Sequence, residues 1–180
     1  ELSTITNLSI GKEKDKAPAN VLENFDYYVG SNGLLDAAYG GNSAAGCSSS
    51  FTLDKTNKSD GTYGAAFNYK LKTSGSEVWT GLVNSKLTNT DFSKYNALKF
   101  WTKLDGKGQK VVVQIKAGGE EFEVYLTNLA KTADAYEITV PFSSFKGKKG
   151  GKLNAENLKD VQAFGIWCNS NPVGEAVDVN

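Results

Sequence analysis

The chain has 180 residues, and 20 Lys and Arg residues balance 20 Asp and Glu residues, so the formal net charge is zero. This length allows one sizeable core, and the balanced charge gives no overall field that would attract nucleic acid or an anionic membrane. Histidine is absent, which excludes Ser-His-Asp and Cys-His nucleophile systems and His-ligated zinc.

The first 20 residues are predicted to be an extra strand or a linker. Leu2–Ile10 has the composition of a strand, and a charged run leads from Gly11 to Pro18. They lack the apolar region of a signal peptide, so we expect that any export signal has already been removed. Residues 21–180 are then expected to form a single domain.

Short segments with apolar residues at every second position, separated by Gly, Asn, Asp and Ser, predict about ten strands in all. After Leu2–Ile10 these are Val21–Phe25, Ser48–Leu53, Tyr63–Leu71, Val78–Val83, Ala97–Leu104, Lys110–Lys116, Glu121–Leu126, Tyr136–Phe142 and Val161–Cys168. The glycine-rich pieces Tyr39–Asn42 and Gly147–Gly151 are interpreted as loops, and Leu153–Lys159 as a helical turn.

Lys110–Lys116 and Glu121–Leu126 flank an Ala-Gly-Gly turn and predict a hairpin. Alternation places Val111, Val113, Ile115, Phe122 and Val124 toward the core. The outward positions carry Gln114, Lys116, Glu123 and Tyr125, for which a solvated sheet surface is the simpler explanation residue by residue. As a group they favour a binding surface.

Ten short strands need two layers to bury their apolar faces. The predicted fold is therefore all-β, a two-layer antiparallel β-sandwich of jelly-roll type, with a closed barrel as the alternative. Cys47 and Cys168 make neither a disulfide framework nor a metal-ligand cluster, and whether they pair or remain separate thiols is open.

Aromatic rings next to amides are the side chains that a polysaccharide site requires, because sugars present apolar C–H faces rimmed by hydroxyls. Trp167 ends a predicted strand, and Asn169 and Asn171 follow it; a half-buried tryptophan before an Asn-rich turn is the alternative. Trp79, with Gly81 on the same strand face, is a second platform candidate, against packing in the core.

Other candidates favour ordinary structural roles. Trp101 lies between Lys99 and Lys103, whose stems would cover it, so packing is expected. Glu121 and Glu123 share a strand face and could in principle act as a glycosidase pair, in a small jelly-roll hydrolase or lyase. That spacing is common by chance and an exposed charged face explains both residues, so no enzyme activity is expected.

Several motifs give the chain a family resemblance, and together they span residues 21 to about 175. They are Val21–Asp26, Val78–Leu82, Leu98–Trp101, Ile138–Phe145 with its Pro-Phe-Ser-Ser-Phe sequence, and Phe164–Asn169. The chain resembles the carbohydrate-binding modules attached to plant-cell-wall hydrolases of anaerobic bacteria, most nearly those of family 11.

The resemblance implies a jelly roll whose concave sheet binds single β-glucan chains, in a module secreted by bacteria and linked to a glycoside hydrolase. The aromatic of the family's penultimate strand matches Trp167, and the asparagines after it match Asn169 and Asn171. It also implies a structural Ca²⁺ near the opening strand. Glu23, Asp26 and Asp178 are the candidate oxygen ligands.

The chain departs from the family pattern in two regions. Val78 stands where a tyrosine is expected, and Lys146–Lys152 replaces a loop with arginine and tyrosine, so β-mannan competes with β-glucan as the expected ligand. The usual closing strand is also replaced, since the chain ends at Ala176–Asn180. Leu2–Ile10 is expected to complete the sheet instead or to belong to a neighbouring element.

Overall fold

The computed structural model describes residues 18–170. Its strands are β1 Tyr39–Ser43, β2 Ser48–Asp54, β3 Gly64–Lys70, β4 Trp79–Asn84, β5 Ala97–Lys103, β6 Lys110–Ala117, β7 Glu120–Tyr125, β8 Ala135–Pro141, β9 Lys146–Gly147 and β10 Val161–Asn169. The helix α1 spans Asn32–Ala38, and 3-10 turns cover Phe25–Tyr28, Leu129–Lys131, Phe142–Ser144 and Asn157–Lys159. Within these residues no helix is long and apolar enough to cross a membrane.

Six antiparallel strands form the main sheet in the order β1-β4-β10-β6-β7-β9. The β6–β7 hairpin is confirmed, and it pairs Val113 with Val124 and Gln114 with Glu123. The central position of β10 follows from its sequence, because Phe164, Ile166 and Cys168 give it an apolar face toward the core.

The second layer consists of two antiparallel pairs, β2–β3 and β5–β8. Both pack on one face of the six-stranded sheet, where Val113, Ile115 and Phe122 meet Ile138 and Val140 in a single apolar cluster. A smaller cluster around Phe51 covers the β1–β4 end. The two-layer antiparallel sandwich predicted from the sequence is therefore confirmed.

The predicted strand Val21–Phe25 is wrong. The Asn24 side chain accepts a hydrogen bond from the Asp26 backbone N–H and caps the 3-10 turn that begins at Phe25. A side chain that bonds its own backbone in this way competes with strand pairing.

The loop interpretation of Tyr39–Asn42 is also wrong, because these residues lie in β1 at the edge of the main sheet. Tyr39 is only 7% exposed, so burial holds the segment in place despite its two glycines. The loop from Gly147 also contains a short element, since β9 pairs with β7. Leu153–Lys159 does contain a single helical turn.

A cavity of about 760 Å³ lies between the two layers, beside β3 and β5. Its apolar lining comes from both layers and includes Leu22, Phe25, Leu98, Phe100, Val113, Ile115, Phe164 and Ile166. Among the described residues, β3 pairs only with β2 and β5 only with β8. Within residues 18–170, one edge of each strand is therefore without a partner next to this cavity.

The two cysteines are separate thiols. Cys168 is fully buried, and burial raises the pKa of its thiol to about 12 from 9.0.

Candidate functional site: the outer face of the main sheet

The outer face of the main sheet, which is turned away from the core, collects most of the residues singled out in the sequence. Directly paired residues of antiparallel strands project to the same side. Trp167 lies opposite Gly81 on β4 and Val112 on β6, and Val112 in turn lies opposite Tyr125 on β7. Seven predicted site residues share this face: Trp79, Gln114, Lys116, Glu123, Tyr125, Trp167 and Asn169. Asn171 lies outside the described residues.

Trp79 and Trp167 form an aromatic pair at the β4–β10 half of the face. Their ring centroids are 6.0 Å apart and their planes are inclined by 57°. Both side chains are half-buried, and Asn169 lies directly opposite Trp79 in the register. Two adjacent rings with an amide beside them match the chemistry of a sugar's C–H face and hydroxyl rim.

Glycines make room for the Trp167 ring on the sheet. A Cβ atom added at Gly81 would overlap the six-membered ring of Trp167, and one at Gly165 would lie 2.9 Å from its Nε1. The indole therefore lies closer to the β4 backbone than any side chain at position 81 would permit.

Gln114 and Glu123 are hydrogen-bonded to each other and to the tryptophan. Trp167 Nε1 donates to Gln114 Oε1 at 3.2 Å, and Gln114 Nε2 donates to Glu123 Oε1 at 2.7 Å. Gln114 is 7% exposed. Both polar ends of its amide are thus engaged inside the protein.

Tyr125 and Lys110 occupy the β6–β7 half of the same face. Lys110 Nζ lies 3.6 Å from the centroid of the Tyr125 ring, a cation–π contact, and Lys110 is 5% exposed. The lysine thus covers part of the ring that was predicted to contact ligand.

Glu121 and Glu123 both interact with Lys148. Lys148 Nζ is 2.9 Å from Glu121 Oε2 and 3.9 Å from Glu123 Oε1. Hydrogen bonding to Glu121, opposed by partial burial, raises the pKa of Lys148. The two carboxylates are thus ion-pair partners of Lys148, and the exposed charged face expected from the sequence applies to Glu121 but not to the largely buried Glu123.

Sequence reasoning missed three residues of the outer face or its rim. Asn42 lies opposite Gly81, on the side away from Trp167, but it was assigned to a loop. Lys110 precedes the valine run of β6, and Lys148 lies in a lysine-rich loop. No alternating pattern marks Asn42, since two glycines separate it from Tyr39.

Trp101 belongs to the other layer. It lies on β5 opposite Glu137 of β8, and Glu137 forms an ion pair with Lys99. Trp101 is half-buried.

Glu23, one of the three proposed calcium ligands, is engaged by hydrogen-bond donors. Its Oε2 accepts bonds from Tyr39 Oη at 2.6 Å, Asn84 Nδ2 at 2.9 Å and Tyr28 Oη at 3.1 Å, and its Oε1 accepts the Asn24 N–H. Burial, then the charge of Glu23, then the hydrogen bond to it, raises the pKa of Tyr39 well above its ordinary value.

Asp26 has a similar role in a neighbouring loop. Its carboxylate accepts the backbone N–H groups of Thr62 and Tyr63 at 2.8–3.1 Å. Residues 18–170 contain no cluster of three acidic or thiol side chains suited to a metal ion. Asp178 lies outside the described residues, so the calcium site stays a prediction, and the donor set around Glu23 satisfies that carboxylate without a cation.

The chain is similar to known proteins in sequence and in fold. The chain is 25% identical over 177 residues to a mannan endo-1,4-beta-mannosidase of Bifidobacterium adolescentis; the match covers 91% of the chain but 17% of that enzyme. The chain therefore spans about a sixth of the length of this relative.

The fold is similar to that of a family 11 carbohydrate-binding module from Clostridium thermocellum, solved in complex with a beta-1,3-1,4-mixed-linked tetrasaccharide. The TM-score is 0.55 at 18% sequence identity, over 79% of this chain and 91% of that one. The family model described as "Carbohydrate binding domain (family 11)" matches residues 13–162. The chain thus belongs to family 11 of the carbohydrate-binding domains.

Proposed function

We propose that the outer face binds a single chain of β-1,4-linked plant polysaccharide, a β-glucan or a glucomannan, without cleaving it. The observation that carries the proposal is the Trp79–Trp167 pair, whose rings lie 6.0 Å apart on one sheet face. Stacking on sugar rings needs such flat surfaces, and the amide of Asn169 next to Trp79 suits the hydroxyl rim.

The breadth of the face supports a polymer rather than a single sugar. Trp167 and Tyr125 are separated by two strand spacings, roughly 10 Å. Polar side chains of β6 and β7 continue the surface beyond the tryptophans. A ligand that reaches both halves must extend across several strands.

β-Mannan is the second candidate ligand. The relative that covers 91% of the chain is a mannan endo-1,4-beta-mannosidase, whereas the structurally similar module was solved with a mixed-linked β-glucan fragment. Glucomannan contains both sugar types, which is why the binding assay must compare all three polymers.

We also propose that the module acts outside the cell and directs a linked glycoside hydrolase to plant cell walls. The match to a limited part of a much longer mannanase supports this role. Retention on a polymer raises the local concentration of a linked catalytic domain without any new contact to the scissile bond.

Affinity gel electrophoresis with mixed-linkage β-glucan, glucomannan and galactomannan tests the function. We expect at least one polymer to retard the wild type and Trp167→Ala to weaken binding about tenfold or more, because one stacking surface is lost. Trp101→Ala is the matched control, since Trp101 lies in the other layer. Unretarded migration of the wild type on all three polymers would refute the proposal.

A further inference from the structure

Trp167 is the end of a hydrogen-bonded chain that crosses three strands of the outer face. The indole N–H on β10 reaches Gln114 on β6, and the Gln114 amide reaches Glu123 on β7. The register places Gln114 directly opposite Glu123, and two residues along β6 from Val112, which lies opposite Trp167. The side chains of Gln114 and Glu123 are both largely buried, since Gln114 is 7% exposed and the Glu123 side chain 16%.

The chemistry of the two ends fixes the orientation of the Gln114 amide. An indole N–H can only donate and a carboxylate can only accept, so Oε1 must face Trp167 and Nε2 must face Glu123. Flipping the amide would put donor against donor and acceptor against acceptor. Glu123 therefore determines, through Gln114, which atom the tryptophan meets.

The Trp167 ring, which these hydrogen bonds hold at its N–H, is also restricted on its other sides. Its six-membered ring lies against the β4 backbone at Gly81, and its Nε1 lies beside Gly165. Trp79 contacts it at a centroid distance of 6.0 Å. With the N–H anchored to Gln114, the half-buried indole has one face against the sheet.

We propose that Gln114 and Glu123 are positioning residues that hold Trp167 flat on the sheet, and that they do not hydrogen-bond the polysaccharide themselves. The inference rests on the proposed function, because it assigns Trp167 as the ring that the ligand meets. A ring held in its binding orientation before the ligand arrives loses less rotamer freedom on binding, which improves affinity.

Lys148 contacts Glu123, at the end of the hydrogen-bonded series that begins at Trp167. Its ammonium lies 3.9 Å from Glu123 Oε1 and 2.9 Å from Glu121 Oε2. The ammonium thus holds the Glu123 and Glu121 carboxylates together at the end of the hydrogen-bonded series away from Trp167.

Four variants separate positioning from direct contact. Glu123→Gln keeps an acceptor for Gln114 and should bind polysaccharide within about twofold of wild type. Gln114→Glu places two carboxylates side by side, and Gln114→Leu removes the indole's acceptor; both should weaken binding about tenfold, the equivalent of one buried hydrogen bond. The swap Gln114→Glu with Glu123→Gln restores a donor for residue 114 and should restore binding.

The indole N–H resonance of Trp167 in a ¹H–¹⁵N spectrum, identified by its loss in Trp167→Phe, gives a readout that needs no ligand. We expect it to move upfield in Gln114→Leu and to return in the swap variant. Gln162→Leu is the matched control, because the Gln162 side chain accepts the Gly119 N–H at the β6–β7 turn and not a bond from Trp167.

The outcomes distinguish this inference from the proposed function. If no polymer binds but the indole resonance follows the pattern above, positioning holds and the function fails. If the wild type binds and Glu123→Gln loses as much affinity as Gln114→Leu, Glu123 contacts the ligand and the positioning role is wrong. An unchanged indole resonance in Gln114→Leu would overturn it as well.

Discussion

Gly81 and Trp167 face each other across β4 and β10, and the indole occupies the space that a side chain at position 81 would need. A Cβ atom at Gly81 would overlap the six-membered ring and would also lie 2.9 Å from the Ile166 carbonyl oxygen. The ring can therefore lie flat only while residue 81 is glycine.

Gly81→Ala should lift the Trp167 ring and weaken polysaccharide binding about tenfold, with a loss of stability from overpacking of about 1–3 kcal/mol. Titration of soluble polymer by calorimetry measures the first effect, and thermal melting the second. Gly40→Ala is the control, since a Cβ there meets only the Val83 carbonyl oxygen, at 3.9 Å. If Gly81→Ala binds as wild type does, the flat seat is not needed for binding.

The buried phenols and thiol predict a loss of stability at alkaline pH. Burial and the charge of Glu23 raise the pKa values of Tyr28 and Tyr39 above 10.0, and burial raises the pKa of Cys168 to about 12 from 9.0. A raised pKa means that the folded state retains protons that the unfolded state has released, so the stabilisation is complete below the unfolded pKa and declines above it.

The free energy of unfolding should therefore fall from about pH 9 upward, more steeply above pH 10. Urea denaturation between pH 8 and pH 11.5 measures this slope. Tyr39→Phe should be less stable than wild type at pH 8 but should lose less further stability as the pH rises. Parallel slopes for the two proteins would show that Tyr39 does not cause the decline.

The sequence was sufficient where a strand has a clear alternating pattern and a local partner. Val111, Val113 and Ile115 lie at every second position and are followed by a tight turn, so both the hairpin and its two faces could be predicted. The outward positions of Gln114, Glu123 and Tyr125 followed from the same alternation.

Features that depend on pairing between distant strands could not be predicted. Trp79 and Trp167 are neighbours only because β4 pairs with β10, and no local pattern encodes that pairing. The hydrogen bond between Gln114 and Trp167 could not be predicted either, because it depends on the register of β6 against β10. β1 was missed because its two glycines have low strand propensity, which burial of Tyr39 outweighs.

Glu23 should be important for stability through its donors. Glu23→Gln would turn an amide N–H₂ toward hydroxyl and amide donors, at a cost of about 2 kcal/mol and hence about 4–8 °C in melting temperature. Glu156→Gln is the control, because Glu156 forms only an exposed pair with Lys159 and should change the melting temperature little. A Glu23→Gln protein as stable as wild type would contradict the role of this network.

Addition of EDTA to the same melting experiment tests the calcium prediction for Glu23, Asp26 and Asp178. A metal ion that binds only the folded state raises the melting temperature of the protein, and removal of the ion lowers that temperature. A decrease in EDTA that excess Ca²⁺ reverses would support the site. An unchanged melting temperature would reject it and leave Glu23 as a hydrogen-bond acceptor alone.

Within residues 18–170, β3 pairs only with β2 and β5 only with β8, and both strands border the 760 Å³ cavity, so we expect one more strand in the second layer. Leu2–Ile10, predicted to be a strand from its sequence, is our candidate. It precedes Asn20 and Leu22, which line the cavity, by only about ten residues in the sequence. Deletion of residues 1–17 should lower the melting temperature by about 5 °C or more, since apolar core would be exposed.

Two test substitutions and two control substitutions in the full chain make this test specific. Alternation places Leu8 and Ile10 on one face of the candidate strand and Asn7 and Ser9 on the other. Leu8→Asp and Ile10→Asp should then destabilise the protein as much as the deletion does, whereas Asn7→Asp and Ser9→Asp should not. If only deletion of residues 171–180 lowers the melting temperature, the assignment of the strand to Leu2–Ile10 is wrong.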